Sequence, residues 1–387
     1  MIFKEAKIRK QFIDTLFENS IQNSINYLNL RDLTIVIPTF NRQEFMMRQI
    51  AYWKNSGVSM IILDGSNTPI DKEFNKYFES DDKINYIYNT SSLTQRLSLA
   101  SKFLNTRYTV YCSDDDFLLP FGLSKSIEAL EKDNKAAASV GQSLRFNYLK
   151  NNKVSYGSCY NYESLYTSKD NYIQRLAYVA NYYTAATCFA VMRTNIWIKS
   201  WGGIPNYSSS QVLELFQAFM VYISGNLLIQ DQLYLLRTLE NFPLSSIDNN
   251  REISSYDWFT LNEFSNEKED FISRCIVQIK SLEFSSQPVH VLRKELNNIL
   301  ENLTANLKNS KYGNYRPNPI INQLKKLKYA QMFKYILKIL YPNYSKLNYG
   351  FLRDLKNRNE LKFIETKVFH TELELIEGIL CKFYGKT

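Results

Sequence analysis

Short apolar runs rich in β-branched residues recur along the first 145 residues, separated by stretches whose apolar positions fall at helical spacing. LTIVIP (33–38), VSMIIL (58–63), INYIY (84–88) and YTVYC (108–112) read as strands, with AAASVG (136–141) as a fifth. Between them, 43–55 has helical composition and 121–132 predicts a further helix. Ser92 caps another that carries Leu93, Leu97, Ala100 and Leu104 on one face. This alternation predicts an α/β fold, a mostly parallel Rossmann-type sheet with helices on both faces. Ahead of it, Phe12, Ile13, Leu16, Phe17, Ile21 and Ile25 mark residues 1–30 as an amphipathic N-terminal helix.

The second half is less regular. Residues 160–193 are dense in Tyr and end in an apolar run that predicts another strand. Residues 197–210 read as a loop, whose Trp201 and Tyr207 would either contact a bound ligand or fill the core. QVLELFQAFMVYISG (211–225) predicts a helix with Val212, Leu215, Phe216, Phe219, Met220 and Ile223 on its apolar face. Beyond LLIQDQLYLL (227–236), Arg237 is expected to pair with Glu240 on one helix, or to meet a phosphate. From 261 onward the text is helical and without strand alternation. The expected division is therefore 1–30, 31–145, 146–260 and a helical C-terminal region, 261–387.

Composition narrows the chemistry. With 387 residues, 45% hydrophobic and 22% charged, the chain has material for a large core, and disorder is excluded as its main state. No run approaches the roughly 18 consecutive apolar residues of a membrane span. The start, MIFKEAKIRK, lacks a signal-peptide core, so a cytoplasmic location is expected. Five scattered cysteines without a CxxC pair, and only His290 and His370, speak against a disulfide framework, a structural zinc site or histidine-based catalysis. Carboxylates lead the candidates. The net charge of +9 is local: residues 311–367 hold 13 Lys or Arg against 3 Asp or Glu, which leaves the remainder near −1. Such a segment suits a solvated helical face, and otherwise an anionic membrane surface or a nucleic acid.

Ligands of open α/β sheets bind beyond the carboxyl ends of the strands. The residues there are Thr39, Asn41 and Arg42, then Asp64, Gly65 and Ser66, then Ser113, Asp114, Asp115 and Asp116. Three consecutive aspartates repel one another unless a cation or hydrogen-bond donors compensate. Mg²⁺ or Mn²⁺ is one natural compensator, held by one or two carboxylates plus substrate phosphates. The alternative is that one aspartate caps the next helix while the others are solvated. No Walker-type loop, zinc-finger spacing or internal repeat is present, and no nucleic-acid partner is expected.

TIVIPTFNR (34–42), LDGS (63–66), the helix bearing Arg96 and SDDDFLLP (113–120) resemble, in order and spacing, the N-terminal half of a family 2-like glycosyltransferase of the GT-A fold and bacterial surface-glycan type. The resemblance covers about residues 33–145. It implies that Thr39, Asn41 and Arg42 line a nucleotide pocket, that Asp64 contacts uracil or ribose, and that Arg96 approaches the base or phosphates. Asp114 and Asp115 would meet the nucleotide sugar, with Asp114 and Asp116 as the Asp-x-Asp metal site. Two departures stand out. Aligning the family's Asp-x-Asp-Asp on Asp115 and Asp116 puts Ser113 where the first carboxylate sits, which leaves the ligand assignment open by one residue. LDGS also offers one acidic residue where two are usual, and an Asx turn before Gly65 would account for Asp64 equally well.

By the same resemblance the general base follows the metal motif by about a hundred residues, near a helix start. Glu214 fits that place and Asp231 is second choice, although the helix dipole alone favours a glutamate at such a position. The implied activity is metal-assisted, inverting transfer from a nucleotide-diphosphate sugar, UDP-sugar foremost, to a hydroxyl of a glycan or lipid-linked acceptor, with peripheral contact at the inner membrane face. Two alternatives stay open. A sugar-nucleotide nucleotidyltransferase shares the sheet but usually has a Gly-rich loop after the first strand, which is lacking here. A non-catalytic basic module on this fold would bind membrane or nucleic acid.

Overall fold

The computed structural model describes residues 13, 16, 17, 27–79, 81–149, 153–160, 171–238, 253–282, 286–309, 348–350 and 367–384. Strand β1 (Leu33–Thr39) is buried along its whole length, as a central strand covered on both faces must be. Helix α1 (Gln43–Trp53) leads to β2 (Ser59–Asp64), and β3 (Ile84–Tyr88) follows. Helix α2 (Leu93–Ala100) begins with the expected cap: Ser92 accepts from the Gln95 N–H in a reciprocal capping box. Then come β4 (Tyr108–Tyr111), the two-residue β5 (Phe117–Leu118) and α3 (Pro120–Lys132), with Pro120 in the first helical turn.

β1, β2, β3 and β4 lie in the order β3-β2-β1-β4, all parallel. The chain moves outward from β1 to β2 and β3, then crosses back to place β4 on the other side of β1. β1 and β4 thus mark the reversal of strand order, where open α/β sheets bind ligands in a crevice, and here the loops after the two strands are joined by side-chain contacts. Beyond β4 the sheet turns mixed. β6 (Ala136–Tyr148) is far longer than its apolar run suggests, because β7 (Val154–Ser158), β8 (Val191–Arg193) and β9 (Asn226–Thr238) all pair with it. β8 also runs antiparallel to β4, and β5 to β9.

Several expectations need correction. Arg237 is on strand β9, not on a helix: QLYLLRT, buried without a break from Leu233 to Leu236, pairs with β6 and β5, and Glu240 lies outside the described residues. The Tyr-rich stretch holds helix α4 (Tyr172–Tyr182) before its short strand, and the loop at 197–210 begins inside α5 (Thr194–Lys199). The C-terminal region contains α7 (Ser255–Thr260), α8 (Ser265–Lys280) and α9 (Val289–Asn309), but also β10 (Asn348–Gly350), a three-residue edge strand on β7 too short to show alternation. Most of 1–30 and of the basic segment 311–367 lies outside the described residues; Ile13 and Leu16 are buried, and Phe17 stacks on Tyr77 at 4.1 Å. Among the described residues no helix is long and apolar enough to cross a membrane.

Helix α6 (Ser210–Ser224) is the hydrophobic helix expected, with all six named apolar residues buried. The last helix, α10 (Lys367–Tyr384), packs on α1 and α3. Its Glu372, 2% exposed, accepts the Phe121 N–H at 2.8 Å and so caps the start of α3 beside Tyr27. Burial pushes its carboxyl from the ordinary 4.5 up to about 8, against the opposing pull of that hydrogen bond. The folded chain then holds a proton that the unfolded chain has released, so stability from this group is complete below about pH 4.5 and lost as pH rises to about 8. Glu372→Gln removes this titration. The variant's melting temperature should match wild type near pH 4.5 and exceed it by about 2–4 °C at pH 8 in calorimetric scans.

Candidate active site

Four elements bring their ends together at the crevice between β1 and β4. The β1 loop supplies Thr39, Asn41 and Arg42. Asn41 adopts φ +52, a region Asn tolerates better than most residues. Its N–H donates to Ser66 Oγ at 2.9 Å and its Oδ1 accepts from the Asn67 N–H at 3.0 Å, which ties this loop to the one after β2.

Asp64, fully buried at the end of β2, accepts from the Ser66 N–H (2.9 Å), Gln43 Nε2 (2.8 Å) and the Tyr86 hydroxyl (2.7 Å). The first of these is the Asx turn anticipated from LDGS. Three of about four carboxylate acceptor positions are thereby used. Gly65 is required by close approach, because a Cβ there would stand 2.3 Å from the Arg96 guanidinium carbon. Arg96 is no surface charge. It is 4% exposed and donates to the carbonyls of Thr39 (2.9 Å), Leu63 (2.7 Å) and Ser91 (3.2 Å), bracing the ends of β1 and β2.

The three aspartates follow β4. Asp114 is completely buried and accepts from Thr39 Oγ1 (2.7 Å), Arg42 Nε (3.2 Å) and Arg42 Nη2 (2.5 Å). Arg42 Nη1 reaches Asp115 at 3.1 Å, so one guanidinium neutralises two neighbouring carboxylates. Asp116 accepts the Thr238 N–H at 2.9 Å, and Arg237 lies within electrostatic reach while bonding the Tyr160 hydroxyl. Burial raises the pKa of both Asp114 and Asp116 and Asp115 adds repulsion; Arg42 and Thr39 oppose this at Asp114, as do Arg237 and the Thr238 amide at Asp116.

The expected metal ligands already have protein donors. Both oxygens of Asp114 serve Arg42 and Thr39, and Asp116 Oδ1 accepts from the Thr238 amide of β9. Among the described residues no group of three or more His, Cys, Asp or Glu side chains is placed to hold a metal. Asp115, 8% exposed against 0% and 2% for its neighbours, is the carboxylate a cation arriving with a ligand can reach. This matches the one-carboxylate mode in which Mg²⁺ binds with substrate phosphates.

Glu214 stands half-buried near the start of α6. It interacts electrostatically with Tyr111, Tyr183, Cys188 and Arg237, and Tyr111 also interacts with Asp114, which connects this carboxylate to the acidic loop. Asp231 is exposed in mid-strand on β9, roughly 20 Å from Arg237 by strand rise. The structure does not bring it to the crevice. Trp201 and Tyr207 are packing residues: Trp201 stacks on Tyr111 at 4.7 Å, and Tyr207 joins Phe216, Trp258 and Phe271 while donating to Asp270. His290 is exposed on α9, far along the chain from these loops.

Sequence reasoning missed Arg48 and Gln49, both buried on α1. Arg48 Nη2 donates to the Asp115 carbonyl at 2.7 Å, and Gln49 Nε2 to the carbonyls of Asp114 (3.2 Å) and Asp116. A signal was present, since an Arg-Gln pair flanked by Met46, Met47 and Ile50 interrupts the buried side of the helix.

Residues 34–197 match the family model described as Glycosyl transferase family 2. The chain is similar to family 2 glycosyltransferases over these residues. Its α/β sheet and C-terminal helices are the GT-A-like arrangement that the resemblance implied. Among solved structures, S. aureus TarS residues 1–349 align at 11% identity over 92% of both chains, with a TM-score of 0.44. The same protein in complex with UDP-GlcNAc aligns at 11% identity over 90% of both chains, with a TM-score of 0.46. Likeness at this level bears on neither substrate nor chemistry. No curated protein matches the sequence.

Removing the guanidinium takes from Asp114 and Asp115 the ion pair they share. Arg42→Ala is expected to lower unfolding stability by about 3–5 kcal/mol in urea titrations. Adding Asp114→Asn to that variant should recover part of the loss, because one of the stranded charges is gone.

Proposed function

We propose that this protein transfers a sugar from a nucleoside diphosphate sugar, UDP-linked in the first instance, to a hydroxyl of a glycan or lipid-linked acceptor, with inversion at the anomeric carbon. The observation that carries this reading is the convergence of Asp64 and the Asp114–Asp116 loop on one crevice of the region similar to family 2 glycosyltransferases, at the reversal of strand order.

Asp64 holds the nucleoside through its remaining acceptor position, oriented by Gln43, Tyr86 and the Ser66 amide. Thr39, Asn41 and Arg42 form the adjoining wall of the pocket. The diphosphate lies along the acidic loop, where Arg42 and Arg237 supply positive charge. A Mg²⁺ or Mn²⁺ ion arriving with the donor would be held at Asp115, where it would supply Lewis-acid neutralisation of the leaving diphosphate. Glu214 takes the proton from the acceptor hydroxyl as its oxygen attacks the anomeric carbon and the bond to the diphosphate breaks. Arg96 acts one step back by fixing the strand ends that carry Thr39 and Asp64. A basic segment at 311–367 suits an acceptor presented at an anionic membrane, where each basic residue near the surface contributes about 1 kcal/mol before screening.

The reading is tested by steady-state turnover of UDP-sugars, hydrolysis included, in wild type and Glu214→Gln. The substitution should lower kcat by about 10²- to 10⁴-fold while leaving donor affinity within about twofold, the signature of a lost proton acceptor. Unchanged kcat would remove Glu214 from the chemistry.

A further inference from the structure

The acidic loop is held from behind as well as from the front. Arg48 is 1% exposed and acts on Asp114 only through its charge, with no ion pair within 4.0 Å among the described residues; its guanidinium carbon lies over three aromatic rings, Phe45 at 4.8 Å, Phe117 at 4.7 Å and Phe383 at 4.7 Å. A buried guanidinium without a close ion pair is an expensive arrangement, and ring faces offset only part of its lost hydration. What it does there is donate to the Asp115 carbonyl, while Gln49 donates to the carbonyls on either side. Two consecutive residues of α1 thus hold the backbone of all three aspartates.

One of the three rings belongs to neither α1 nor the loop. Phe383 lies on α10, packs against Phe45 at 5.0 Å, and is followed by Tyr384, whose hydroxyl is 3.5 Å from Arg48 Nη1 and whose ring stacks on Tyr148 at 4.6 Å. At its other end α10 is fastened by Glu372 to the Phe121 amide, three residues beyond β5. The last described helix of the chain therefore grips the segment after the aspartates at one end and the residue that orients them at the other.

We infer that Arg48 is a positioning residue for the donor site and that α10 is the clamp that keeps it in place. Docking of α10 closes the aromatic cage around Arg48, and the cage fixes the direction of its bond to the Asp115 carbonyl. Loosening the helix lets Arg48 rotate and frees the loop on which the carboxylates stand. The inference rests on the donor-site reading, but its first readout does not depend on it.

The test is hydrogen–deuterium exchange of the full chain, with Phe383→Leu, which keeps most of the volume and removes the ring, Arg48→Lys, which removes the fork, and Phe383→Tyr, which restores an aromatic face. Amides of residues 113–119 should exchange at least about tenfold faster in Phe383→Leu and Arg48→Lys, while those of β2 are unchanged, and Phe383→Tyr should return them toward the wild-type rate. Titration of each protein with UDP should show about a tenfold loss of affinity in the same two variants. Unchanged exchange at 113–119 in a folded Phe383→Leu protein would overturn the clamp, whatever happens to binding. A loosened loop in a protein whose wild type binds no nucleoside diphosphate would instead leave the clamp standing and overturn the transferase reading.

Discussion

Three consecutive buried carboxylates can exist only if something balances them, and in this protein the balance is arginine. The Arg42 fork spans Asp114 and Asp115, and Arg237 faces Asp116 from β9. Arg48 and Arg96 add two more buried guanidinium groups that act on backbone carbonyls of the same loops. The β1 loop, the start of α1, β4 and the end of β9 must each be where they are for this balance to hold. Rigidity there follows from the same contacts, because breaking a buried ion pair leaves an uncompensated charge, which costs far more than the intact pair contributes. The site is therefore preorganised before any ligand arrives.

The strand–helix rhythm of the first 145 residues was legible because strands covered on both faces read as unbroken apolar runs, and Pro120 and the Ser92 capping box punctuate the helices. The aspartates were legible for the opposite reason, as charges where folding alone has no use for them. What stayed hidden was the compensation. Arg42 looked like a pocket residue and Arg237 like half of a helical ion pair, since neither sequence distance nor periodicity tells which carboxylate a long side chain will meet 72 or 121 residues away. β9 was hidden because its pairing with β6 is irregular, with register shifts that break the two-residue period. Asp231 sits on that irregular stretch, exposed, and its appeal in the sequence came from spacing alone.

Arg48 and α10 show a different limit. An arginine within a helix normally reads as a surface residue, and the ring that covers this one comes from Phe383, more than three hundred residues later. The contact joins the two ends of the described chain across the back of the site. A domain match confined to residues 34–197 therefore describes the catalytic frame and not all that steadies it.

The central claim is that the crevice between β1 and β4 binds a nucleoside diphosphate. Calorimetric titration of the purified protein with a panel of nucleoside diphosphates, with Mn²⁺ and again with EDTA, tests it most directly when repeated on Asp115→Ala. The account predicts saturable binding of one nucleoside diphosphate, strengthened by Mn²⁺ and weakened at least about tenfold by the substitution. Folded protein that binds none of them under either condition would contradict it.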